Sequence, residues 1–137
     1  MHGGRGMDCI FCTRIEEHQL LLETPNYKVV FDIDPIQSGH LLIISKAHVE
    51  TLLAISEELF IELMTLQKQV IALLEKDFHV DGVSVIQNNG HIMDDGTHFH
   101  VHIVPRYHGD QFWDHQQVVE KPILTNDLAE KLKRLIQ

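Results

Sequence analysis

The most informative segment of this chain is His98-Phe99-His100-Val101-His102-Ile103-Val104-Pro105. Its apolar positions are aromatic or β-branched, which predicts a β-strand. Alternate side chains of a strand share one face, so three imidazoles are expected on one surface and the apolar residues in a core. Histidine titrates nearest neutrality, and three at strict period two indicate phosphoryl chemistry or metal binding rather than packing.

The row of histidines allows other interpretations on the residues alone. Surface strands carry histidines without a function, although strict alternation on an apolar strand makes this interpretation unfavourable. A His-x-His pair on a strand can also bind zinc, as it does in sites with three histidine ligands. The other alternative is a nucleophilic site.

The composition predicts one globular domain that is not a general nucleic-acid binder. With 137 residues, of which 44% are hydrophobic, the chain is long enough for a real core. The 11 Lys and Arg against 20 Asp and Glu give a formal net charge of -9, whereas a nucleic-acid binder needs a basic face. A phosphorylated small molecule stays possible, because backbone N–H groups and a few histidines can bind one phosphate.

The sequence predicts a cytoplasmic protein without a membrane segment. No apolar run reaches the length of a membrane span, and the first six residues lack the apolar stretch of a signal peptide. Cys9 and Cys12 lie too close together for a structural staple and are typical of a reduced pair. We expect residues 1–8 to form a flexible leader and residues 9–137 to form a single domain.

Short apolar runs between turn residues predict a sheet of about five strands. The segments expected as strands are residues 20–23, 27–31, 40–45, 82–88 and 98–106. Apolar residues recur at three- and four-residue steps after Ser56, which predicts a helix from about Glu57 to about Asp77 with Ser56 as its cap.

A second helix is expected near the C-terminus. Its expected cap is Thr125 or Asn126, and its inner face is expected to carry Leu128, Leu132 and Leu135. Together these elements predict an α+β fold, in which one long helix packs on an antiparallel sheet and a C-terminal helix follows.

The segment from His98 to Val104 matches the motif His-φ-His-φ-His-φ-φ, where φ is apolar, at every position. The chain therefore resembles the histidine triad (HIT) family of nucleoside-phosphate hydrolases and transferases. The resemblance runs from about Cys9 to Arg106 and includes flanking elements in the same order. These elements are Cys9-x-x-Cys12, Gly39-His40-Leu41-Leu42-Ile43-Ile44, Lys46-Ala47-His48, Gln87-Asn88-Asn89-Gly90 and Pro105-Arg106.

The resemblance implies a covalent mechanism centred on the middle histidine. His100 would attack an α-phosphorus in line, expel the group beyond it and form a nucleotidyl-histidine that water resolves. A backbone carbonyl would hold the other ring nitrogen and fix the tautomer. His102 would contact the phosphate or the leaving-group oxygen, and Asn88 lies where the family has a phosphate-contacting amide. The expected substrate is a phosphoramidate or a dinucleoside polyphosphate.

The segment before the triad departs from the family pattern. Many members carry Gly-Gln there, followed by a Ser or Thr that meets the phosphate, whereas this chain has Met93-Asp94-Asp95-Gly96-Thr97. Thr97 is the candidate for the phosphate contact. Asp94 and Asp95 would repel a phosphate unless they point away or bind a cation, so the preference for a leaving group stays open.

The resemblance also implies a structural zinc ion. Histidine triad relatives and the related galactose-1-phosphate uridylyltransferases bind zinc through such a cysteine pair and two histidines. By position, the ligands would be Cys9, Cys12, His48 and His98, a closed Cys₂His₂ set of the structural kind. Zinc would pin the N-terminal segment to the start of the triad strand. On the residues alone, two small buried side chains or a redox pair are the alternatives.

The family places the base against apolar side chains from the first strands and the ribose on an acidic residue. The apolar candidates are Phe11, Phe31 and Ile33, although aromatic residues usually pack in a core. Asp32 is the ribose candidate, because a carboxylate accepts hydrogen bonds from both sugar hydroxyls. His40 begins a strand near the site and is expected to support it.

Further expectations concern partners and alternatives. Trp113 follows the triad strand and would close over the substrate or lie in a dimer contact. Relatives usually form two-fold dimers by joining sheets edge to edge, so a homodimer is expected. Two other functions stay open: a nucleotide-binding regulatory protein with weak catalysis, and a metalloenzyme that uses all three histidines as ligands.

Overall fold

A computed structural model describes residues 9–13, 15–94 and 96–136, so the predicted leader at residues 1–8 lies outside the described residues. The described chain forms an antiparallel sheet of five strands in the order β1-β2-β3-β5-β4. The strands are β1 Leu22–Glu23, β2 Tyr27–Phe31, β3 Leu41–Ser45, β4 Gly82–Gln87 and β5 His100–Arg106. The helices are α1 Ile10–Thr13, α2 Glu57–Asp77 and α3 Thr125–Lys133. The predicted α+β architecture is confirmed.

The long helix α2 begins and ends where its sequence pattern predicts. Ser56 caps it, because the Ser56 hydroxyl accepts a hydrogen bond from the N–H of Leu59 at 3.3 Å. The apolar stripe of α2 faces the sheet, where Leu63 and Leu66 are buried in one cluster with Phe99 of the chain leading into β5. Each fully buried leucine contributes about 2 kcal/mol to folding, so this stripe anchors the helix.

The register of β5 divides its side chains between two faces of the sheet. His100 lies opposite Ile44 and His102 lies opposite Leu42, and all four residues share the face that α2 does not cover. Val101, on the opposite face, is fully buried beneath α2. Since β5 lies between β3 and β4, the histidines stand on an interior strand that is held on both sides.

The predicted strand at 98–106 is wrong at its start, because β5 begins at His100. The N–H of Phe99 donates to the carbonyl of Val49 in the loop after β3 at 2.7 Å, whereas the carbonyl of Phe99 accepts from the N–H of Ser45 in β3 at 3.2 Å. His98 therefore lies before the strand, in a position to meet the N-terminal segment. The strand expected at 20–23 is likewise confined to Leu22–Glu23.

The C-terminal helix forms, but two expectations about it are wrong. Its cap position is Leu124, so neither Thr125 nor Asn126 caps it. The leucines expected on an inner face are exposed, with 44% of Leu128, 53% of Leu132 and 74% of Leu135 accessible. No described element covers this helix, so its apolar stripe has no core to face. No helix in the described ranges combines the length and apolar character needed to cross a membrane.

Candidate active site and metal centre

Four predicted metal ligands come together where the N-terminal segment meets the approach to β5. This group, which we call the quartet, consists of Cys9, Cys12, His48 and His98. Their ligand atoms all lie within 4.8 Å of one another. Cys9 Sγ lies 3.1 Å from His98 Nδ1, and Cys12 Sγ lies 3.1 Å from His48 Nδ1. Tetrahedral zinc with sulfur and nitrogen ligands needs separations of about 3.5 Å between ligand atoms, so this set fits the ion.

Hydrogen bonding orients His98 so that it could ligate a metal ion. Its Nε2 lies 2.6 Å from the carbonyl oxygen of Ser45, and a carbonyl only accepts, so Nε2 carries the proton. The lone pair of Nδ1 therefore points at the two sulfur atoms. A backbone carbonyl that orients a histidine in this way is the usual support of a metal ligand.

The ionisation of the quartet is consistent with metal binding. Burial lowers the pKa of His98, which favours the neutral ring that ligates metals. Burial, together with the hydrogen bond and charge of Cys9, raises the pKa of the Cys12 thiol to about 11. Zinc binding would therefore release a proton from this thiol. Cys9 and Cys12 form no disulfide.

Phe11 links the quartet to the middle histidine of the triad. It lies on α1 between the two cysteines, and its ring meets the ring of His98 edge-on at 5.5 Å and that of His100 at 4.9 Å. The half-buried Phe11 also packs on the cluster that includes Ile44. The segment that carries the cysteines thus forms one wall of the histidine row.

His100 is held in a single tautomer. Its Nδ1 lies 2.7 Å from the carbonyl oxygen of His98, so Nδ1 carries the proton and donates it. Nε2 of a neutral His100 consequently has a free lone pair. Only 7% of His100 is accessible, which keeps most bulk water away from the ring.

His40 and His102 form a chain of hydrogen bonds with a fixed direction. The N–H of Ile36 donates to Nδ1 of His40 at 3.0 Å, so the proton of His40 is on Nε2. That Nε2 lies 2.9 Å from Nδ1 of His102, which must accept. Neutral His102 therefore carries its own proton on Nε2 and is a hydrogen-bond donor there.

The protonation of this pair is set by burial and by two carboxylates. Burial lowers the pKa of His102 to about 4, the charges of His100 and His40 add to the decrease, and Asp32 and Asp94 oppose it. Burial likewise lowers the pKa of His40. The two rings are neutral near pH 7, as the direction of their hydrogen bond requires.

The described residues offer two sets of possible metal ligands, and neither combines the three histidines of the triad. This arrangement disfavours the metalloenzyme that the sequence left open. The second set is Asp32, His40 and His102. Nε2 of His40 would have to lose its proton to ligate, because Nδ1 is already occupied by the N–H of Ile36. We therefore interpret this set as a hydrogen-bonded cluster.

The substrate-binding candidates lie at different distances from this cluster. Asp32 lies beside it, with Oδ2 3.3 Å from His40 Nε2 and 3.7 Å from His102 Nδ1, while Oδ1 accepts from the N–H of Asp34. Gln87 of β4 pairs with Val101, which lies on the face opposite to His100. Because successive side chains of a strand alternate between faces, Asn88 is expected on the face that carries His100. Ile33 is 89% exposed at the rim.

Two candidates are arranged differently from the expectation. Both the hydroxyl and the N–H of Thr97 bond to the carbonyl of Asp94, at 2.6 and 3.3 Å, so the loop itself uses these groups. Phe31 pairs with Leu41 and shares the face that α2 covers, away from the histidine row. Asp95 lies outside the described residues.

Sequence reasoning missed a cluster that shapes the far end of β5. Arg106 donates to both carboxylate oxygens of Asp110 at 2.7 and 3.0 Å and to Ser84, and it stacks on the ring of Phe112. This arrangement folds the chain after β5 back over the sheet and presents Trp113 beside it. An arginine followed by an aspartate four residues later is too common a pattern to reveal such a cluster.

Comparison with known proteins agrees with the fold and with the histidine row. The adenosine 5'-monophosphoramidase of Saccharomyces cerevisiae is 34% identical over 107 residues, which cover 72% of this chain and 62% of that protein. A crystal structure from Streptococcus mutans has a TM-score of 0.72 and 30% identity, covering 100% of this chain and 90% of that chain. A zinc-bound histidine triad family protein from Mycobacterium smegmatis has a TM-score of 0.66 and 25% identity, covering 93% of this chain and 97% of that chain. The sequence model of the HIT domain matches residues 14–109, more than half of the chain, and the chain belongs to the histidine triad family.

Proposed function

We propose that this protein is a nucleotide hydrolase or transferase that cleaves a nucleoside phosphate conjugate at its α-phosphorus through His100. The observation that carries the proposal is the hydrogen bond from Nδ1 of His100 to the carbonyl of His98. This bond leaves the Nε2 lone pair free and holds the ring in one orientation. A neutral, positioned imidazole is the nucleophile that a covalent route requires.

The proposed reaction has two displacement steps. Nε2 of His100 attacks the phosphorus in line, and the bond to the leaving group breaks with its electron pair on the departing atom. From a phosphoramidate, the departing nitrogen takes a proton from water, and the hydroxide formed attacks the nucleotidyl-histidine. The second step releases the nucleoside monophosphate and restores neutral His100, so one water molecule is consumed.

His102 would stabilise the charge that develops in the first step. Its Nε2–H donates toward the phosphoryl oxygens or the leaving group, and it is held in that tautomer by His40. A donor that is fixed before the reaction begins lowers the barrier, because it need not reorganise in the transition state. His102 is thus assigned as a catalytic residue beside His100, and His40 as a positioning residue.

A phosphoramidate and a dinucleoside polyphosphate both present the required α-phosphorus. The Saccharomyces cerevisiae relative that is named an adenosine 5'-monophosphoramidase supports the first of these for this chain. In the binding mode we propose, the base lies against Phe11 with Ile33 at the rim, the ribose lies on Asp32, and Asn88 contacts the phosphate. The Thr97 hydroxyl would need to leave the Asp94 carbonyl to reach the phosphate.

We also propose that zinc occupies the quartet as a structural ion. The short separations among Cys9, Cys12, His48 and His98 support this, as does the zinc-bound relative from Mycobacterium smegmatis. Zinc supplies stability to a segment with little other core of its own. No step of the proposed reaction needs the ion.

The test is to trap the intermediate. Purified protein is mixed with an adenosine 5'-phosphoramidate, denatured within the turnover time and analysed by peptide mass spectrometry. The expected result is one adenylyl group on His100. The variant His100→Ala is expected to lose at least about 10⁴-fold in turnover, as removal of a covalent nucleophile does, and to keep its affinity for adenosine monophosphate within a few-fold.

The competing function is a nucleotide-binding regulatory protein with weak catalysis. It predicts that wild type and His100→Ala bind nucleotide equally and that neither labels nor turns over any phosphoramidate or dinucleoside polyphosphate. Labelling at a residue other than His100 would also contradict the proposed role of this histidine.

The position of β4 supports the expected homodimer. β4 is a six-residue edge strand, and an unpaired edge offers backbone groups to a second strand. We propose that two copies pair along β4. Sedimentation should then give about twice the chain mass of 15.8 kDa. Val85→Lys on β4 should give monomers, whereas Val118→Lys, on an exposed segment after the sheet, should not.

A further inference from the structure

The two histidines of the quartet turn the same ring nitrogen toward the cysteines. Nδ1 of His98 lies 3.1 Å from Sγ of Cys9, and Nδ1 of His48 lies 3.1 Å from Sγ of Cys12. The two nitrogens of an imidazole point away from each other, so Nε2 of each ring is directed out of the quartet. The acceptor that each Nε2 meets there determines how firmly the ring presents Nδ1 to a metal ion.

The outer nitrogens of these two rings meet different acceptors. Nε2 of His98 lies 2.6 Å from the carbonyl oxygen of Ser45, in a buried hydrogen bond. Nε2 of His48 instead lies 3.7 Å from a carboxylate oxygen, Oε2 of Glu50, two residues further along the chain. Hydrogen bonds of this kind span about 2.7 to 3.2 Å, so a displacement of roughly 0.5 to 1 Å would complete the bond.

Glu50 lies outside the set of ligand atoms. The group of atoms that lie within 4.8 Å of one another in the quartet contains two sulfurs and two ring nitrogens, and no carboxylate oxygen. A carboxylate beside Nε2 of His48 stands on the far side of the ring from the cysteines. Because a Cys₂His₂ set is also complete for tetrahedral zinc, Glu50 can act on the ion only through His48.

Hydrogen bonds on both sides hold the backbone from which the Glu50 side chain extends. The carbonyl of Val49 accepts from the N–H of Phe99 at 2.7 Å, and the carbonyl of Glu50 accepts from the N–H of Gly90 at 2.9 Å. The carboxylate of Glu50 therefore needs only a movement of its own side chain to reach His48. A partner that is held close to its position loses little entropy when the bond forms.

His48 has more need of such a partner than His98. His98 is fully buried, whereas 32% of the His48 side chain is accessible, so packing constrains the His48 ring less. A metal ion on Nδ1 withdraws electron density from the ring and makes Nε2–H a better donor. A hydrogen bond from such a donor to an ionised carboxylate is roughly twice as strong as one between neutral groups.

We infer that Glu50 is a positioning residue of the metal centre, whose carboxylate accepts from Nε2–H of His48 and holds the ring so that Nδ1 ligates zinc. This inference rests on the zinc ion that we propose for the quartet. It gives His48 a carboxylate support that parallels the carbonyl support of His98. Glu50 thus affects how tightly and how long the ion is held, and leaves the set of ligating atoms unchanged.

The experiment measures the metal directly and needs no turnover. Zinc-loaded full-length protein is mixed with a chromogenic chelator, which gives the rate of zinc release and, at equilibrium, the affinity for zinc. Glu50→Ala removes the acceptor, and Glu50→Gln keeps an amide oxygen at the same distance from the backbone. Glu130→Ala is the control, because Glu130 is an exposed glutamate that pairs with Arg134 on α3, outside the quartet.

We expect Glu50→Ala to weaken zinc binding about 10- to 100-fold, which is the usual cost of removing the partner behind a metal ligand, and to release zinc faster by a similar factor. Glu50→Gln should lose less, because its amide oxygen still accepts, and Glu130→Ala should equal wild type. Protein produced with cobalt(II) in place of zinc should show the absorption bands of two thiolate ligands in every variant.

Nuclear magnetic resonance of the ring N–H groups separates positioning from a general effect on folding. In the zinc-loaded protein, Nε2–H of His48 should give a resonance that Glu50→Ala broadens through exchange with water. Nε2–H of His98, which donates to Ser45, should keep its resonance in the same variant. A merely structural role of Glu50 predicts that both resonances respond alike.

Several outcomes would overturn the inference. They are wild-type zinc affinity in Glu50→Ala, equal losses in Glu50→Ala and Glu50→Gln, or a His48 resonance that does not depend on Glu50. A changed cobalt(II) spectrum in Glu50→Ala would make Glu50 a ligand instead. If wild type binds zinc and both Glu50 variants bind it equally well, only the role of Glu50 fails. If wild type binds no zinc, the proposed metal centre fails.

Discussion

Nε2 of His40 lies 2.9 Å from Nδ1 of His102, although 62 residues separate them in the chain. The N–H of Ile36 fixes the proton of His40 on Nε2, and His40 in turn fixes the proton of His102 on Nε2, the nitrogen that we propose faces the substrate. Through His40, the backbone amide of Ile36 therefore determines which nitrogen of His102 carries the proton. A side chain that acts through another in this way is a positioning residue.

Removing the donor of this pair should slow the chemical step rather than weaken binding. We expect His40→Ala to lower kcat for an adenosine phosphoramidate by about 10- to 100-fold with little change in KM, because His102 loses its fixed tautomer. His40→Gln keeps an N–H donor at this position and should recover part of the rate. His18→Ala, at an exposed histidine, is the control for general effects. Equal rates for His40→Gln and His40→Ala would argue against positioning by a hydrogen bond.

Stability should depend on the protonation of His102 over a defined pH window. Its pKa is about 4 in the folded protein and 6.5 in the reference state, so only the unfolded chain binds this proton between those values. The contribution of His102 to the free energy of unfolding is therefore fully present above about pH 6.5. This contribution decreases as the pH falls toward 4, by at most about 1.4 kcal/mol per pH unit.

The measurement is urea unfolding of wild type and His102→Gln at pH 7, 6 and 5. The groups that face His102 are His100, His40, Asp32 and Asp94, and both proteins retain all of them. We expect the variant to gain stability relative to wild type as the pH falls. His18→Gln should show no such trend, and a parallel pH dependence of wild type and His102→Gln would contradict the lowered pKa.

Local sequence signals predicted the parts of the fold that local interactions determine. The bounds of α2 follow from Ser56 and from a stripe that repeats along one helix. The separation of Val101 from His100 and His102 follows from strand alternation. These features need no knowledge of distant segments.

Features that depend on distant partners could not be predicted from the residues alone. The contact of Phe11 with His100 depends on how α1 lies across the sheet. The apolar stripe of α3 indicated a helix correctly, but periodicity does not say whether a partner covers that stripe. The course of the chain after β5 depends on the hydrogen bonds between Arg106 and Asp110.

Removal of the cysteine ligands should remove one metal ion per chain. We expect purified protein to contain about one zinc by elemental analysis and the double variant Cys9→Ala, Cys12→Ala to contain almost none, because the two histidines alone form an incomplete site. The thermal midpoint should fall in the variant, since structural zinc contributes to folding. His91→Ala, at an exposed histidine outside the quartet, should retain the metal. Zinc retained by the double variant would locate the ion at other ligands.

Truncation of Phe11 should weaken nucleotide binding, whereas truncation of Leu20, which packs on the same cluster, should not. Phe11 and Leu20 pack against the same cluster, which consists of Val30, Leu42 and Ile44. Phe11 differs from Leu20 in that its ring also contacts the rings of His98 and His100. Truncation of either half-buried side chain should cost about 2 kcal/mol of stability, near the lower end for large-to-small changes. Phe11→Ala should in addition weaken adenosine monophosphate binding about tenfold, because it removes the ring on which we place the base. Leu20→Ala should leave the affinity within about twofold, and calorimetric titration of both variants at equal zinc content decides the matter. Equal affinities would show that Phe11 serves only the packing of α1 on the sheet.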